Sequence, residues 1–110
     1  MAYQWHDMEH RWGERVRVNI PVQVSARLLD DIDGCIKNLS LSGALMKTAV
    51  DLPLHALIEV TIKLPAPAPH TEAILAHVSR KLKNDVGVEW CEFAPSVVKE
   101  LLRSPSVRLP

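Results

Sequence analysis

From Val16 to Val24 apolar and polar residues alternate without a break, with Val16, Val18, Ile20, Val22 and Val24 set against Arg17, Asn19, Pro21 and Gln23. A period of two belongs to a strand with one buried face, so this stretch is the first predicted strand. Pro21 has no N–H to give to a ladder, which assigns it to an edge or a bulge. The run LDDIDGC that follows is turn chemistry, with Asp33-Gly34 the strongest turn signal. A second strand is predicted from about Cys35 to Leu41, a turn at Ser42-Gly43, and a third strand from Ala44 to Thr48. In ALIEVTIKL the alternation returns, with Leu57, Glu59, Thr61 and Lys63 opposing Ile58, Val60 and Ile62. Pro65 to His70, PAPAPH, reads as a stiff extended loop. TEAILAHVSRKLK and DVGVEWCEF are the last two predicted strands, joined at Asn84-Asp85.

The period changes only in APSVVKELLRS. There Val97, Val98, Leu101 and Leu102 fall on one helical stripe, Pro95 suits a first turn, and Ser104-Pro105 stops it. Residues 1–15 are polar, dotted with aromatics and without clear periodicity, and read as an N-terminal arm; residues 16–104 form the domain and 105–110 a tail. Six short strands followed by one helix favour an all-β closed antiparallel barrel or a sandwich. Closure into a barrel also removes the exposed edges that such strands would otherwise present.

Composition narrows the function classes. The chain has 110 residues, the size of one domain. Thirteen basic and thirteen acidic residues cancel, so no global field draws in DNA, RNA or a membrane surface, and an anion site has to be local. No apolar run approaches the ~20 residues that span a bilayer. The opening MAYQWHDMEH lacks the apolar stretch of a secretory signal, so the cytoplasm is the expected location. Cys35 and Cys91 have no ligand spacing and read as small buried apolar residues.

Two segments carry candidate chemistry. In HRWGERVR, Arg11, Arg15 and Arg17 are interleaved with Trp12 and Gly13. Two arginines four apart around a glycine can converge on one anion, and the planar guanidinium suits phosphate or a flat ring. A solvated charged segment paired to Glu9 and Glu14 is the plain alternative. The second segment is NLSLSGALM. Its alternation sets Asn38, Ser40 and Ser42 on one face of a strand and Leu39 and Leu41 on the other, before Gly43 admits a close backbone. Such a polar ledge has the donors and acceptors to read a base edge; a strand ending in a Ser-Gly turn is the alternative.

Together, Arg11-x-x-x-Arg15 followed by Asn38-x-Ser40-x-x-Gly43 resembles the paired signature of PilZ domains, bacterial receptors for cyclic di-GMP. VNIPVQV after the arginines, the late VGVEWCEF and the closing helix extend the resemblance over roughly residues 9–104. The resemblance implies a six-stranded, Greek-key-like split β-barrel with a C-terminal helix. It also implies that the N-terminal arm wraps the dinucleotide, with Arg11 and Arg15 on phosphates and guanines. Asn38, Ser40 and the turn to Gly43 would then hydrogen-bond a guanine, with His10, Trp12, Arg17 and Ser42 as secondary candidates. Many relatives carry Asp where this chain has Asn38, and some carry another arginine where it has His10.

No metal centre, cofactor or catalytic group is expected beside the cyclic di-GMP ligand. His6 and His10 are spaced i, i+4 but lack a third ligand, His77 sits within a strand, and neither Ser40 nor Ser42 has a histidine in its segment. The reading is therefore a non-enzymatic receptor that signals to a partner protein by ordering its arm. The alternative is a PilZ-like adaptor of the pilus or motility type that has no use for nucleotide.

Overall fold

The computed structural model describes residues 15–64, 69–104 and 107–109. Six antiparallel strands, β1 (Val16–Ala26), β2 (Leu29–Leu39), β3 (Gly43–Thr48), β4 (Leu57–Leu64), β5 (His70–Lys81) and β6 (Val86–Trp90), close into a barrel in the order β1-β2-β3-β6-β5-β4. Closure pairs β1 with β4, from Val22 opposite Ile62 to Ala26 opposite Ile58, so the most regular alternating strand has neighbours on both sides. Pro21 lies one residue outside that β4 ladder, where its missing N–H costs no ladder bond.

The alternation of β1 and β4 appears directly as burial. Val18, Ile20, Val22 and Val24 from β1 and Ile58, Val60, Ile62 and Leu64 from β4 enter one core with Ile36, Leu39, Met46, Val78 and Val88. Helix α1 (Ser96–Arg103) lays Val97, Val98 and Leu101 on that core, the stripe the helical period predicts, with Leu102 half-buried at its margin. Pro95 is the N-cap, one residue before the first turn, and Ser104 is the C-cap. Beyond the helix, Arg108 bridges to Val18 and Leu109 donates its N–H to the Arg17 carbonyl at 2.9 Å, so this short piece lines β1 below the point where β4 joins it.

Several boundaries differ from the sequence expectation. The β1–β2 turn is at Arg27-Leu28, and Asp33-Gly34 lies inside β2, paired to Gln23 and Val22. The turn formers are used one step away. Between Val24 and Ala26 the register slips by one residue of β2, and Asp31 there adopts φ 56°, a left-handed conformation that Asp tolerates better than most residues. Strand β5 begins at His70, opposite Leu64, so the loop is one residue shorter than predicted. Neither cysteine is buried as expected: β6 stops at Trp90, which leaves Cys91 exposed, and Cys35, on the outer side of β2 opposite Pro21, is only half-buried.

Candidate functional site

The register of β1 against β2 sets the residues that follow Arg15 beside the second motif. Val16 lies opposite Leu39 and Arg17 opposite Asn38, so the chain leading into β1 begins beside the turn that follows β2. Arg15 is exposed directly before β1, and Arg17 is exposed on it. His10, Arg11 and Trp12 lie outside the described residues.

Asn38 reaches the outer surface through an irregularity. Ile36 and Asn38 on β2 face Met46 and Leu45, which are consecutive on β3, so Lys37 is an extra residue. Ile36 points into the core and an unbroken strand would send Asn38 the same way; the bulge turns it outward and returns Leu39 to the core. Asn38 is half-buried between Arg17 and Leu45.

The expected ledge ends at Asn38. Strand β2 stops at Leu39, and Ser40 is fully buried instead of standing beside Asn38. Its hydroxyl is 3.2 Å from the Gly43 carbonyl, the Gly43 N–H and the Ser42 hydroxyl, while its own N–H donates to the Gly43 carbonyl at 2.9 Å. Ser40 thus holds the turn shut from inside. Ser42 is exposed at the tip, and Leu41, expected in the core, is only half-buried because no strand carries the alternation past Leu39. A tertiary contact completes the clamp. The indole N–H of buried Trp90 donates to the Ser40 carbonyl at 3.1 Å, and its backbone N–H to the Ser42 carbonyl at 3.0 Å.

Gly43 earns its place against β6 and not through an unusual dihedral. A Cβ there would lie 2.0 Å from the Val88 carbonyl oxygen. The turn is therefore fixed by a hydroxyl within, an indole beside and a bare backbone beneath. Replacing Ser40 with alanine is expected to leave the buried Gly43 N–H unpaired and cost roughly 1–3 kcal/mol, against under about 1 kcal/mol for Leu41→Ala. Paired thermal melts check this; equal losses would mean that Ser40 does not hold the turn.

Trp90 and Leu45 carry no local sequence signal as site residues. Trp90 is the last in-phase apolar position of β6, and nothing local marks its indole as the partner of a turn 50 residues earlier. Among the described residues no group of three metal-ligating side chains comes together, and no helix is long and apolar enough to cross a membrane.

The structure is thus a closed six-stranded barrel with exposed Arg15 directly before β1 and a rigid Ser40–Gly43 turn directly after β2. The chain belongs to the PilZ domain family, whose model matches residues 9–104. Among solved structures it resembles the PilZ domain of CeSA from a cellulose-synthesizing bacterium, at 18% identity and a TM-score of 0.62, over 82% of this chain and 92% of that one. At that identity the likeness is one of fold. No curated protein sequence matches the chain.

Proposed function

We propose that this PilZ domain is a cytoplasmic cyclic di-GMP receptor that acts by binding and not by catalysis. The ligand draws the N-terminal arm onto the barrel, and the ordered arm is the surface a partner protein reads. The observation that carries this reading is the β1–β2 register, which starts the chain after Arg15 beside the Ser40–Gly43 turn and seats Arg17 across from Asn38. Guanidiniums arriving from the arm side would meet the phosphates, while Asn38 offers its amide oxygen to a guanine N–H. Ser40 belongs to this site as a positioning residue, since its hydroxyl is occupied within the turn.

Calorimetric titration of the full chain with cyclic di-GMP is the direct test. Saturable binding is the expected result, and a folded protein that takes up no ligand would overturn the reading and leave the adaptor alternative. Asn38 supplies a second check. Aspartate at this position makes the acceptor anionic, and a charge-assisted bond exceeds a neutral one by about 1 kcal/mol, so Asn38→Asp should tighten binding by roughly fivefold. Asn38→Ala should weaken it. Indifference to both changes would remove Asn38 from the site.

A further inference from the structure

Strand register extends the outer-face row that holds Arg17 and Asn38. Asn38 pairs with Leu45 on β3, Leu45 with Gly87 on β6, and Gly87 with Arg80 on β5. Arg17, Asn38, Leu45, Gly87 and Arg80 therefore form one line across five strands. Three register shifts abut this line, between Arg17 and Ile20, between Ile36 and Asn38, and between Val78 and Arg80. The last repeats the device seen at Asn38. Val78 points into the core, and an unbroken β5 would send Arg80 inward too; the extra residue, Ser79, turns Arg80 out and ties its hydroxyl to the Gly87 carbonyl at 3.2 Å. Two strands that each spend a bulge to present a polar side chain on the same line argue for a built surface.

The middle of the line is flat. Gly87 faces outward yet is buried, because the Arg80 side chain lies across it, with Cγ 2.8 Å and Nε 2.9 Å from where a glycine-borne Cβ would stand. Arg80 is exposed and, among the described residues, has no ion pair. The nearest outward carboxylate on β6, Glu89, faces His77 at 3.2 Å. Between Asn38 and Gly87 lie two strand spacings, about 10 Å, floored by Leu45.

We propose that Arg80 is a specificity-determining residue of the ligand site, closing it opposite Asn38 and reading the O6/N7 edge of a guanine that lies over Leu45. The inference rests on the cyclic di-GMP reading above. Its chemistry is complementary at both ends: Asn38 accepts from the guanine N–H edge, and a guanidinium has only donors, which match the two acceptors O6 and N7. Adenine presents N7 beside an amino group that donates, so the same guanidinium cannot pair with it bidentately. Gly87 is glycine here so that Arg80 can lie flat along the floor.

The test is calorimetry with cyclic di-GMP and cyclic di-AMP on the wild type, Arg80→Ala, Arg80→Lys and Gly87→Ala, with circular dichroism as the folding control. Arg80→Ala should weaken cyclic di-GMP about tenfold or more, within the range of one bidentate base contact, and leave cyclic di-AMP unchanged. Arg80→Lys keeps the charge without the planar fork and should restore only part of the loss. Gly87→Ala lifts the arginine from the floor and should also weaken binding. Wild-type affinity in Arg80→Ala, or an equal loss for both dinucleotides, would overturn the proposal while leaving the receptor reading intact. A wild type that binds neither would bring down the receptor reading and this inference together.

Discussion

Replacing Arg11 or Arg15 with alanine is expected to abolish cyclic di-GMP binding at calorimetric concentrations while leaving the melting temperature unchanged. Arg15 precedes the first strand and is exposed, outside the core described above, and Arg11 belongs to the polar, non-periodic stretch of sequence before it. Surface substitutions of this kind usually move stability by less than about 0.5 kcal/mol. The binding loss is larger because the ligand carries two negative charges and the chain has no net charge with which to attract it. Each charge-assisted contact is worth roughly 1.5–3 kcal/mol, so removing one costs about ten- to a hundredfold in affinity. Titration of each variant beside a thermal melt is the measurement. Raising the salt should weaken wild-type binding through screening and have less effect on any residual binding by the variants. Unchanged affinity in both variants would dissociate the arginine motif from the site.

Gly43→Ala is expected to be strongly destabilising, although the change adds one methyl group at a site with no positive φ. The added carbon would meet the Val88 carbonyl oxygen at 2.0 Å. That oxygen is backbone of β6, in the stretch where Gly43 pairs with Glu89 and Ala44 with Val88, so it cannot retreat without opening the β3–β6 ladder. Forced backbone shifts of this sort cost typically about 1–3 kcal/mol, which in a domain of this size lowers the melting temperature by on the order of 10 °C. Gly34→Ala is the matched control. Its Cβ would find its nearest atoms at 3.3 Å, so a small adjustment accommodates it, and the stiffer unfolded chain offsets part of the cost. The Gly43 variant should lose ligand as well, because the turn that Ser40 and Trp90 hold would no longer close. Similar melting temperatures for the two variants would refute the close-approach account of Gly43.

Strand existence along β1 and β4, the helical stripe of α1 and the pairing of the two motifs were all legible in the sequence, because each is a local periodicity or a fixed spacing. A period of two buries one face of a strand wherever the strand sits, and Val16–Val24 needed no knowledge of its neighbours. Other features depended on partners remote in sequence. Asp33-Gly34 carries strong turn chemistry, yet β1 on one side and β3 on the other both pair with it, and two ladders outweigh a local preference. Ser40 looked like the next step of a polar face; the bonds to Gly43 and the indole of Trp90 draw it inside. Bulges are the clearest case. An extra residue is a mismatch between two strands, so the local alternation that sets Asn38 opposite Leu39 does not announce the bulge at Lys37, and nothing in β5 alone announces that Ser79 will turn Arg80 outward. The sequence by itself determined which residues alternate, where the helix lies and which motifs are present. Only barrel closure, by matching strands of unequal count, decided which polar side chains share one surface and which are enclosed within the turn.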